Sequence, residues 1–318
     1  MSFSILGAGS ALPSCVKTND DLAQILDTSD QWIYTRTGIR RRHVITTETI
    51  TGMAAEAARK ALAAAGITPE DLDYIVCPTV GGDYITPGLG CTLQEELGAH
   101  CPAIDINAGC SGFLYSLDVV DGIFARKKAR YVLVTAAEGL SRIMDWTERS
   151  TCVLFGDGAG AVVLGEGDGL RYLKLRTQGC SAPLHGRFPM GNSPWTKEEP
   201  HTHFVHMEGQ EVYKFAVNTI CTSVQEALEE TGLSIDDMHH VLLHQANMRI
   251  IEAARRKLSI PEERCHCCIE ETGNISAASI PTLIDRCSRE GLFHSGENLL
   301  LCAFGAGFTS GTAILTWK

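Results

Sequence analysis

No stretch of this 318-residue chain approaches the ~20 consecutive apolar residues that span a bilayer. The opening MSFSILGAGSALPSC lacks a basic segment leading into an apolar run. Neither a membrane span nor a secretory leader is expected, and the chain is assigned to the cytoplasm. Positive charge is scarce as well: 27 Lys and Arg against 38 Asp and Glu leave a net charge of −11. That is the wrong sign for a general nucleic-acid binder, because phosphate is held by a basic surface. Absent too is any paired cysteine framework. The 13 cysteines are scattered from Cys15 to Cys302, which in a chain of this size reads as reduced thiols, mostly buried as small hydrophobes. The run Cys265, His266, Cys267 and Cys268 has the donor types of a metal centre. Adjacent ligands do not easily close a tetrahedron, however, and no second pair lies nearby, so no metal is expected.

What is present is ordinary globular material, 44% hydrophobic and 20% charged, long enough for one large or two modest cores. Its most informative feature is an internal echo between AAEAARKALAAAGITPEDLDYIV (54–76) and CTSVQEALEETGLSIDDMHHVLL (221–243). Both read as helix, glycine stop at Gly66 or Gly232, acidic turn and buried strand. A second echo sets TCVLFGDGAGAVVLG (151–165) beside LLLCAFGAGFTSGTAILTW (299–317), each read as strand, glycine turn, strand. Two such halves, 1–168 and 169–318, predict a duplicated α/β architecture with sheets covered by helices. After the join, the stretch 179–204 carries Pro183, Pro189 and Pro194 with little periodicity. It reads as a long loop, either a connector or a lid over a substrate channel.

Three glycine motifs, GAGSAL (7–12), GDGAGA (156–161) and GAGFTSG (305–311), invite a dinucleotide reading. Such a fingerprint needs a strand, G-x-G-x-x-G and then a helix whose N-terminus meets the pyrophosphate. Pro13 follows the first motif and strand-like runs follow the others, so a nucleotide-dependent oxidoreductase is not expected. A tight glycine turn instead lets backbone N–H groups approach a ligand and hold a developing oxyanion. Gly305 to Gly307 is the turn to which that role is given.

In AIDINAGCSGFLYSLDVVDGIFARKK, a strand-like AIDI runs into a small-residue turn and an amphipathic helix, with Cys110 at the helix N-terminus. The positive end of the dipole there favours thiolate and is expected to lower the pKa, as suits a nucleophile. His244 follows the apolar VLL of VLLHQANMRII and emerges at a strand end, where α/β folds build sites. Asn274 lies in the glycine-marked EETGNISAASIP, ahead of a small-residue helix. Taken singly, Asn274 reads as a helix cap and His244 as a core histidine.

Together, NAGCSGF, VLLHQANMRI, ETGNISAASIP and FGAGFTSG resemble the motifs of the β-ketoacyl-acyl-carrier-protein synthase III family, within the thiolase-like superfamily. TSDQWIYTRTGIRRRH, STCVLFGDGAGAVVL and MEGQEVYKFAV extend the resemblance over the whole chain in the family's order. The resemblance implies a thiolase-like fold, with two duplicated α/β halves in a five-layer αβαβα arrangement, and a homodimer. It implies an acyltransferase with no cofactor, coenzyme A thioester being a substrate. The expected reaction initiates fatty acid biosynthesis by joining an acyl-CoA primer to malonyl-acyl-carrier-protein with loss of carbon dioxide. Cys110 would carry the acyl group, and His244 and Asn274 would hydrogen-bond the malonyl thioester carbonyl. Backbone N–H groups of Cys110, Ala306 and Gly307 would hold the oxyanion.

By the same carry-over, Thr28, Trp32, Arg36, Arg149 and Asn247 would bind coenzyme A, with indole and guanidinium suited to adenine. Arg249 and Arg256 share a helix face, with Arg255, Lys257 and Lys214 nearby, as a dock for an acidic carrier protein. Thr86, before Pro87, matches the position that shapes the family's acyl pocket. Its small side chain implies a roomier pocket and primers longer than acetyl. Cys-His-Asn rather than Cys-His-His sets the chain apart from elongating synthases, and 318 residues is short for a chalcone-synthase-like relative. The same residue types serve papain-like hydrolases, but the duplication and the GAGF turn do not fit them. An intact triad opposes a non-catalytic acyl-binding relative.

Overall fold

The structure is a computed structural model and describes residues 2–189, 194, 195, 197 and 201–318. In chain order the strands are β1 (Ser2–Ala11), β2 (Cys15–Thr18), β3 (Arg41–Val44), β4 (Tyr74–Pro78), β5 (Ala103–Ile106), β6 (Tyr131–Gly139), β7 (Asp157–Gly167), β8 (Leu170–Cys180), β9 (Leu184–His185), β10 (His206–Met207), β11 (His240–Leu243), β12 (Asn298–Gly305) and β13 (Gly307–Thr316). The helices are α1 (Asn19–Ala23), α2 (Asp30–Thr37), α3 (Ile50–Ala65), α4 (Leu89–Leu97), α5 (Gly112–Ala125), α6 (Arg149–Cys152), α7 (Gly209–Thr231), α8 (Met248–Lys257), α9 (Ile269–Thr272) and α10 (Ser279–Arg289).

Two larger sheets repeat one topology, β1-β7-β6-β4-β5 in the first and β8-β13-β12-β11 in the second. In each, the first three strands pair antiparallel and the fourth joins in parallel. β5 adds a further parallel strand to the first sheet. An isolated parallel bridge between Val241 and Cys265 takes that place in the second.

The strands read as near-continuous apolar runs because both sheet faces are covered. Alternation of side chains then sorts them by layer. Val76, Val132, Val134, Val162 and Leu164 of the first sheet meet Leu242, Leu299, Leu301, Ala313 and Leu315 of the second in one core. Helices α5 and α10 fill it, through Leu114, Leu117, Ile280 and Leu283. The alternate residues Ile75, Cys77, Leu133 and Val163 pack with α3 and α4, and Val241, Leu243, Leu300 and Ile314 with α7 and α8. The layers therefore run α3/α4, first sheet, α5/α10, second sheet, α7/α8, which is the predicted αβαβα arrangement. The halves share the middle layer: β7 ends at Gly167 and β8 begins at Leu170, yet α10 packs on β1 and β7.

The first echo is the pair α3–β4 and α7–β11. Gly66 and Gly232 end the two helices at φ +68° and +67°, a left-handed conformation that glycine takes without strain. A capping box follows in each, Thr68 with Asp71 and Ser234 with Asp237. The second echo is corrected. β13 matches β7, but the strand paired before β7 is β6, and residues 151–155 finish α6 and turn. Their apolar run is buried, and burial of so short a run does not separate a strand from a helix end.

Of the three glycine motifs, only 305–307 is a tight turn between strands; Gly7 and Gly9 lie within β1, and Gly158 and Gly160 within β7. Those glycines admit other backbone: a Cβ on Gly9 would stand 2.3 Å from Ala57 O, and one on Gly160 2.5 Å from Thr282 N. In the 179–204 stretch, β8 runs on to Cys180 and β9 pairs with β10. Residues 190–193, 196 and 198–200, on which the connector and lid readings depend, lie outside the described residues. All 13 cysteines are free, and Cys77, Cys101, Cys152, Cys265, Cys268, Cys287 and Cys302 are buried. No helix among the described residues is long and apolar enough to cross a membrane.

Candidate active site

Cys110 follows β5 by four residues and stands two before Gly112, the start of α5. Gly109 makes the turn at φ +54°. Ser111 Oγ lies 2.8 Å from both Ala108 O and Thr309 Oγ1, which pins that turn to β13. The turn between β12 and β13 lies against it. A Cβ on Gly305 would stand 2.6 Å from Cys110 N and 3.0 Å from Ser111 N, and one on Gly109 3.0 Å from Ala306 N. Glycine is required at both positions because the two backbones come this close. The predicted oxyanion group, Cys110 with Ala306 and Gly307, is therefore one cluster.

His244 directly follows β11, its N–H donating to Cys302 O at 2.9 Å as the ladder ends. The ring is buried, 5.4 Å edge-on from Phe304. Nδ1 lies 2.8 Å from Ser279 Oγ, and Nε2 is buried without a partner among the described residues. Ser279 Oγ accepts from Gln245 N at 3.4 Å, so its own proton is free for Nδ1, and the matching tautomer carries hydrogen on Nε2. Burial pushes the His244 pKa down to about 3, which keeps the ring neutral.

Asn274 is locked by its backbone: its N–H donates to Leu154 O at 2.8 Å and its carbonyl accepts from Gly156 N at 3.0 Å. Its Oδ1 accepts from Ser276 N at 2.8 Å, which turns the amide nitrogen into a spare donor. That bond satisfies the first N–H of the helical turn Ser276–Ala278 leading into α10, close to the simplest reading of its surroundings, although the cap position itself is Ile275. Ala277 of the same segment meets the start of α5, 3.6 Å from where a Cβ on Gly112 would stand, while Ser279, two residues on, holds His244. One short segment thus joins all three predicted residues. Gln245 secures it from below, donating to Leu243 O at 2.7 Å and accepting from Cys268 N at 2.9 Å.

One sequence expectation is reversed. The α5 terminus was expected to hold Cys110 as thiolate, but burial, with the Glu138 carboxyl adding to it, pushes the thiol up to about 11. The resting site holds a thiol.

Towards the surface, α2 carries Trp32, with Arg36 Cζ 4.5 Å and Arg149 Cζ 4.9 Å from its ring centroid. Arg149 also donates to Asp27 O, and Thr28 Oγ1 is buried without a partner among the described residues. Asn247 caps α8, accepting from Arg249 N at 2.9 Å. α2 adjoins α8 at Gly38, where a Cβ would stand 2.4 Å from Met248 Cβ. The predicted coenzyme A residues therefore gather at one junction. Arg249, Arg256 and Lys257 of α8 are exposed. Arg255 is not part of that surface in the same sense: it bonds Glu252 at 3.0 and 2.8 Å and Ile260 O at 3.3 Å. Lys214 of α7 pairs with Glu211 at 2.9 Å. Thr86 stands exposed on the loop between β4 and α4. A surface depression lined by Pro87, Cys91 and His100 includes none of Cys110, His244 and Asn274 in its lining.

Sequence reasoning missed Glu138, Ser276, Ser279 and Gln245. The serines and the glutamine lie inside the motifs already singled out, and Glu138 was legible as a lone acid ending the apolar run YVLVTAA.

The family described as 3-oxoacyl-(acyl-carrier-protein) synthase III matches residues 104–179, and its C-terminal part matches residues 228–317. The chain is 44% identical over 318 residues, covering 98% of each, to the beta-ketoacyl-(acyl-carrier-protein) synthase III of Xanthomonas euvesicatoria. Among solved structures, the 3-oxoacyl-(acyl-carrier-protein) synthase III of Aquifex aeolicus matches with TM-score 0.92 and 40% identity, over 99% of this chain and 100% of that one. The priming β-ketosynthase of the R1128 polyketide pathway matches with TM-score 0.92 and 34% identity, over 100% and 96%. Likeness of this extent to named members, over a fold and a site built as described, means that the chain belongs to the 3-oxoacyl-(acyl-carrier-protein) synthase III family of condensing enzymes.

Proposed function

We propose that this chain starts acyl-chain synthesis by a two-stage condensation on Cys110. In the first stage the Cys110 sulfur attacks the carbonyl carbon of an acyl-CoA. The bond to the coenzyme A sulfur breaks with its electron pair, leaving an acyl thioester on Cys110. In the second stage malonyl-acyl-carrier-protein loses its carboxylate as carbon dioxide, and the freed electron pair forms an enolate. His244 Nε2–H and Asn274 Nδ2–H donate to the enolate oxygen. The enolate carbon attacks the acyl carbonyl, the tetrahedral oxyanion rests on N–H groups of Cys110 and the Ala306–Gly307 turn, and Cys110 leaves as thiolate.

The observation that carries this reading is a pair of donors unspent among the described residues: the partnerless Nε2 of His244, and an Asn274 side-chain amide engaged only through its oxygen. Both are neutral, so they donate without a change of charge. The chain's own residues suffice for these steps without a cofactor.

Coenzyme A would be held at Trp32, Arg36 and Arg149, with Thr28 and Asn247 alongside. An acidic carrier would dock on Arg249, Arg256 and Lys257, with Lys214 near and Arg255 bracing the helix end. A homodimer fits the first sheet, whose edge strand β5 leaves Ile104 36% exposed, beside a loop with Ile85 83% exposed. Thr86, on that same loop, would shape an acyl pocket only across such an interface. The proposed setting is the cytoplasm. A second reading, the same chemistry priming a polyketide carrier, is favoured by the likeness to the R1128 enzyme.

The test is intact-protein mass spectrometry with a panel of acyl-CoAs, comparing wild type with Cys110→Ala. A Cys110-dependent acyl mass that disappears when malonyl-acyl-carrier-protein is added, as β-ketoacyl product forms, supports the reading and names the primer. No acylation by any coenzyme A thioester rejects it.

A further inference from the structure

Arg42 of β3 is the largest fully buried side chain among the described residues. Its partners are oxygens of neutral groups. Nη1 donates to Asn19 Oδ1 at 2.8 Å and to Lys17 O at 3.2 Å, and Nη2 donates to Val153 O at 2.9 Å. Burial pushes the guanidinium down to about 10, which leaves it charged at neutral pH. A charge held this deep by neutral oxygens contributes little net stability, and apolar replacements of buried charges are often no less stable. Its effect lies in placing what it touches.

What it touches leads to Asn274. Val153 follows α6, and the next residue, Leu154, accepts from Asn274 N at 2.8 Å, while Gly156 N donates to Asn274 O at 3.0 Å. A parallel bridge pairs Phe155 with Asn274 between those two bonds. Gly273, directly before Asn274, turns at φ +64°. A Cβ there would stand 3.2 Å from Arg42 Cβ, and so would one on Gly156. The stem of Arg42 is therefore wedged against both backbones that meet at Asn274. β3 is itself fixed to α9, the helix before Gly273: Arg40 N donates to Glu270 O at 2.9 Å, and Arg40 and Arg41 pair with Glu270 and Glu271 at 2.8 and 2.9 Å. Asn19 braces the guanidinium from the other side. It is buried, and its Nδ2 donates to Asp30 Oδ1 at 2.8 Å and to Ile39 O at 2.7 Å, so one amide clasps both ends of α2.

We infer that Arg42 is a positioning residue for the condensing stage: braced by Asn19, its guanidinium holds the 153–156 segment, and with it the Asn274 amide, in register with the site. This rests on the condensation proposed above. The bonds of Arg42 do not reach the Cys110 turn, which Ser111 pins to Thr309 of β13, so acylation of Cys110 is independent of it. A guanidinium reaches several oxygens at once from a rigid plane, whereas an ammonium is a point charge. Arg42→Lys keeps the charge and gives up that span, and misplacing a donor by about 1 Å costs on the order of 10²-fold in rate.

The test compares wild type, Arg42→Lys, Asn274→Ala and the double variant by hydrogen exchange and by single-turnover kinetics at saturating acyl-CoA. In Arg42→Lys, exchange at the Gly156 and Asn274 N–H groups quickens about 10- to 100-fold, the equilibrium effect of losing a hydrogen bond to a charged group, while that of β6 stays as in the wild type. The acyl mass on Cys110 forms at the wild-type rate, and its transfer to malonyl-acyl-carrier-protein falls on the order of 10²-fold. In the Asn274→Ala background Arg42→Lys lowers transfer no further. Unchanged exchange at both N–H groups, acylation and transfer falling together, or an undiminished effect of Arg42→Lys without the Asn274 side chain each overturn the inference. If thermal melting shows that Arg42→Lys does not fold, Arg42→Gln, which buries no charge, is scored by the same criteria. A chain that folds with neither makes Arg42 a requirement of the whole fold and overturns a role confined to Asn274. A wild type that takes no acyl group from any acyl-CoA overturns the condensing reading instead, and exchange at Gly156 and Asn274 still decides the placement.

Discussion

The residue that follows the parallel strand beside the central pair is Thr79 in the first half and His244 in the second. The residues that approach the middle-layer helix are Cys110 before α5 and Asn274 before α10. The connection from β6 to β7 spans 140–156, whereas the single residue Ala306 separates β12 from β13. These are corresponding positions on one topology. Duplication supplies the scaffold twice, and the site arises where the copies differ. Thr79 spends its hydroxyl on Ala137 O at 2.8 Å, so it is structural. His244 keeps Nε2 unspent. The short turn of the second half brings backbone to Cys110, while the long connection of the first carries Arg149 out to Trp32.

The largest effect should come from separating the halves chemically. His244→Ala or Asn274→Ala should lower product formation by about 10²–10³-fold, the scale of one lost oxyanion donor, with the acyl mass on Cys110 still appearing. Loss of acylation itself in these variants would show that the halves do not divide the work.

Packing offers the next contrast. The outer layer of the first half is alanine pressed on glycine, and that of the second is larger aliphatic side chains on α7. Adding volume should break the first: Gly9→Ala, whose Cβ meets Ala57 O at 2.3 Å, should cost about 1–3 kcal/mol. Removing volume should break the second: Ile220→Ala, at a fully buried position, should cost about 2–5 kcal/mol. Denaturant unfolding measures both.

The halves should also carry opposite pH signatures. Glu138, raised from 4.5 to about 7, holds more proton when folded, so its stability is lost as pH rises from about 4.5 to about 7. His244, lowered from 6.5 to about 3, holds less when folded, so its stability is lost as pH falls below about 6.5. Each slope is at most about 1.4 kcal/mol per pH unit, and between 4.5 and 6.5 they oppose. In urea unfolding over that range, His244→Gln should make stability fall as pH rises, and Glu138→Gln should make it climb.

The smallest effects lie at the surface. Trp32→Ala should raise KM for acyl-CoA on the order of tenfold, about 1.4 kcal/mol of stacking, with kcat unchanged. Arg249→Glu should instead raise KM for the carrier protein a few-fold, an effect that fades at high salt.

Much of this was legible locally. The helix, glycine stop and capped turn of 54–76 and 221–243 are set by residues within a few positions of one another, and they appear as α3–β4 and α7–β11. Cys110, His244 and Asn274 were found through neighbours in sequence. The 151–155 run was misread because a short apolar segment buries equally well as a helix end. Arg255 was placed with the docking residues, and its bonds to Glu252 and Ile260 O were not legible because they form only where α8 ends.

By itself, then, the sequence determined that there would be two covered sheets, since strands apolar on both faces must be sandwiched, and where each reactive side chain would leave its strand. Only the tertiary structure decided the chemistry those side chains hold. Cys110 is a thiol rather than a thiolate, and His244 is neutral with Nε2 available. Protonation follows desolvation and contact, and here the contacting groups stand far apart in the chain, beyond what any local pattern can encode.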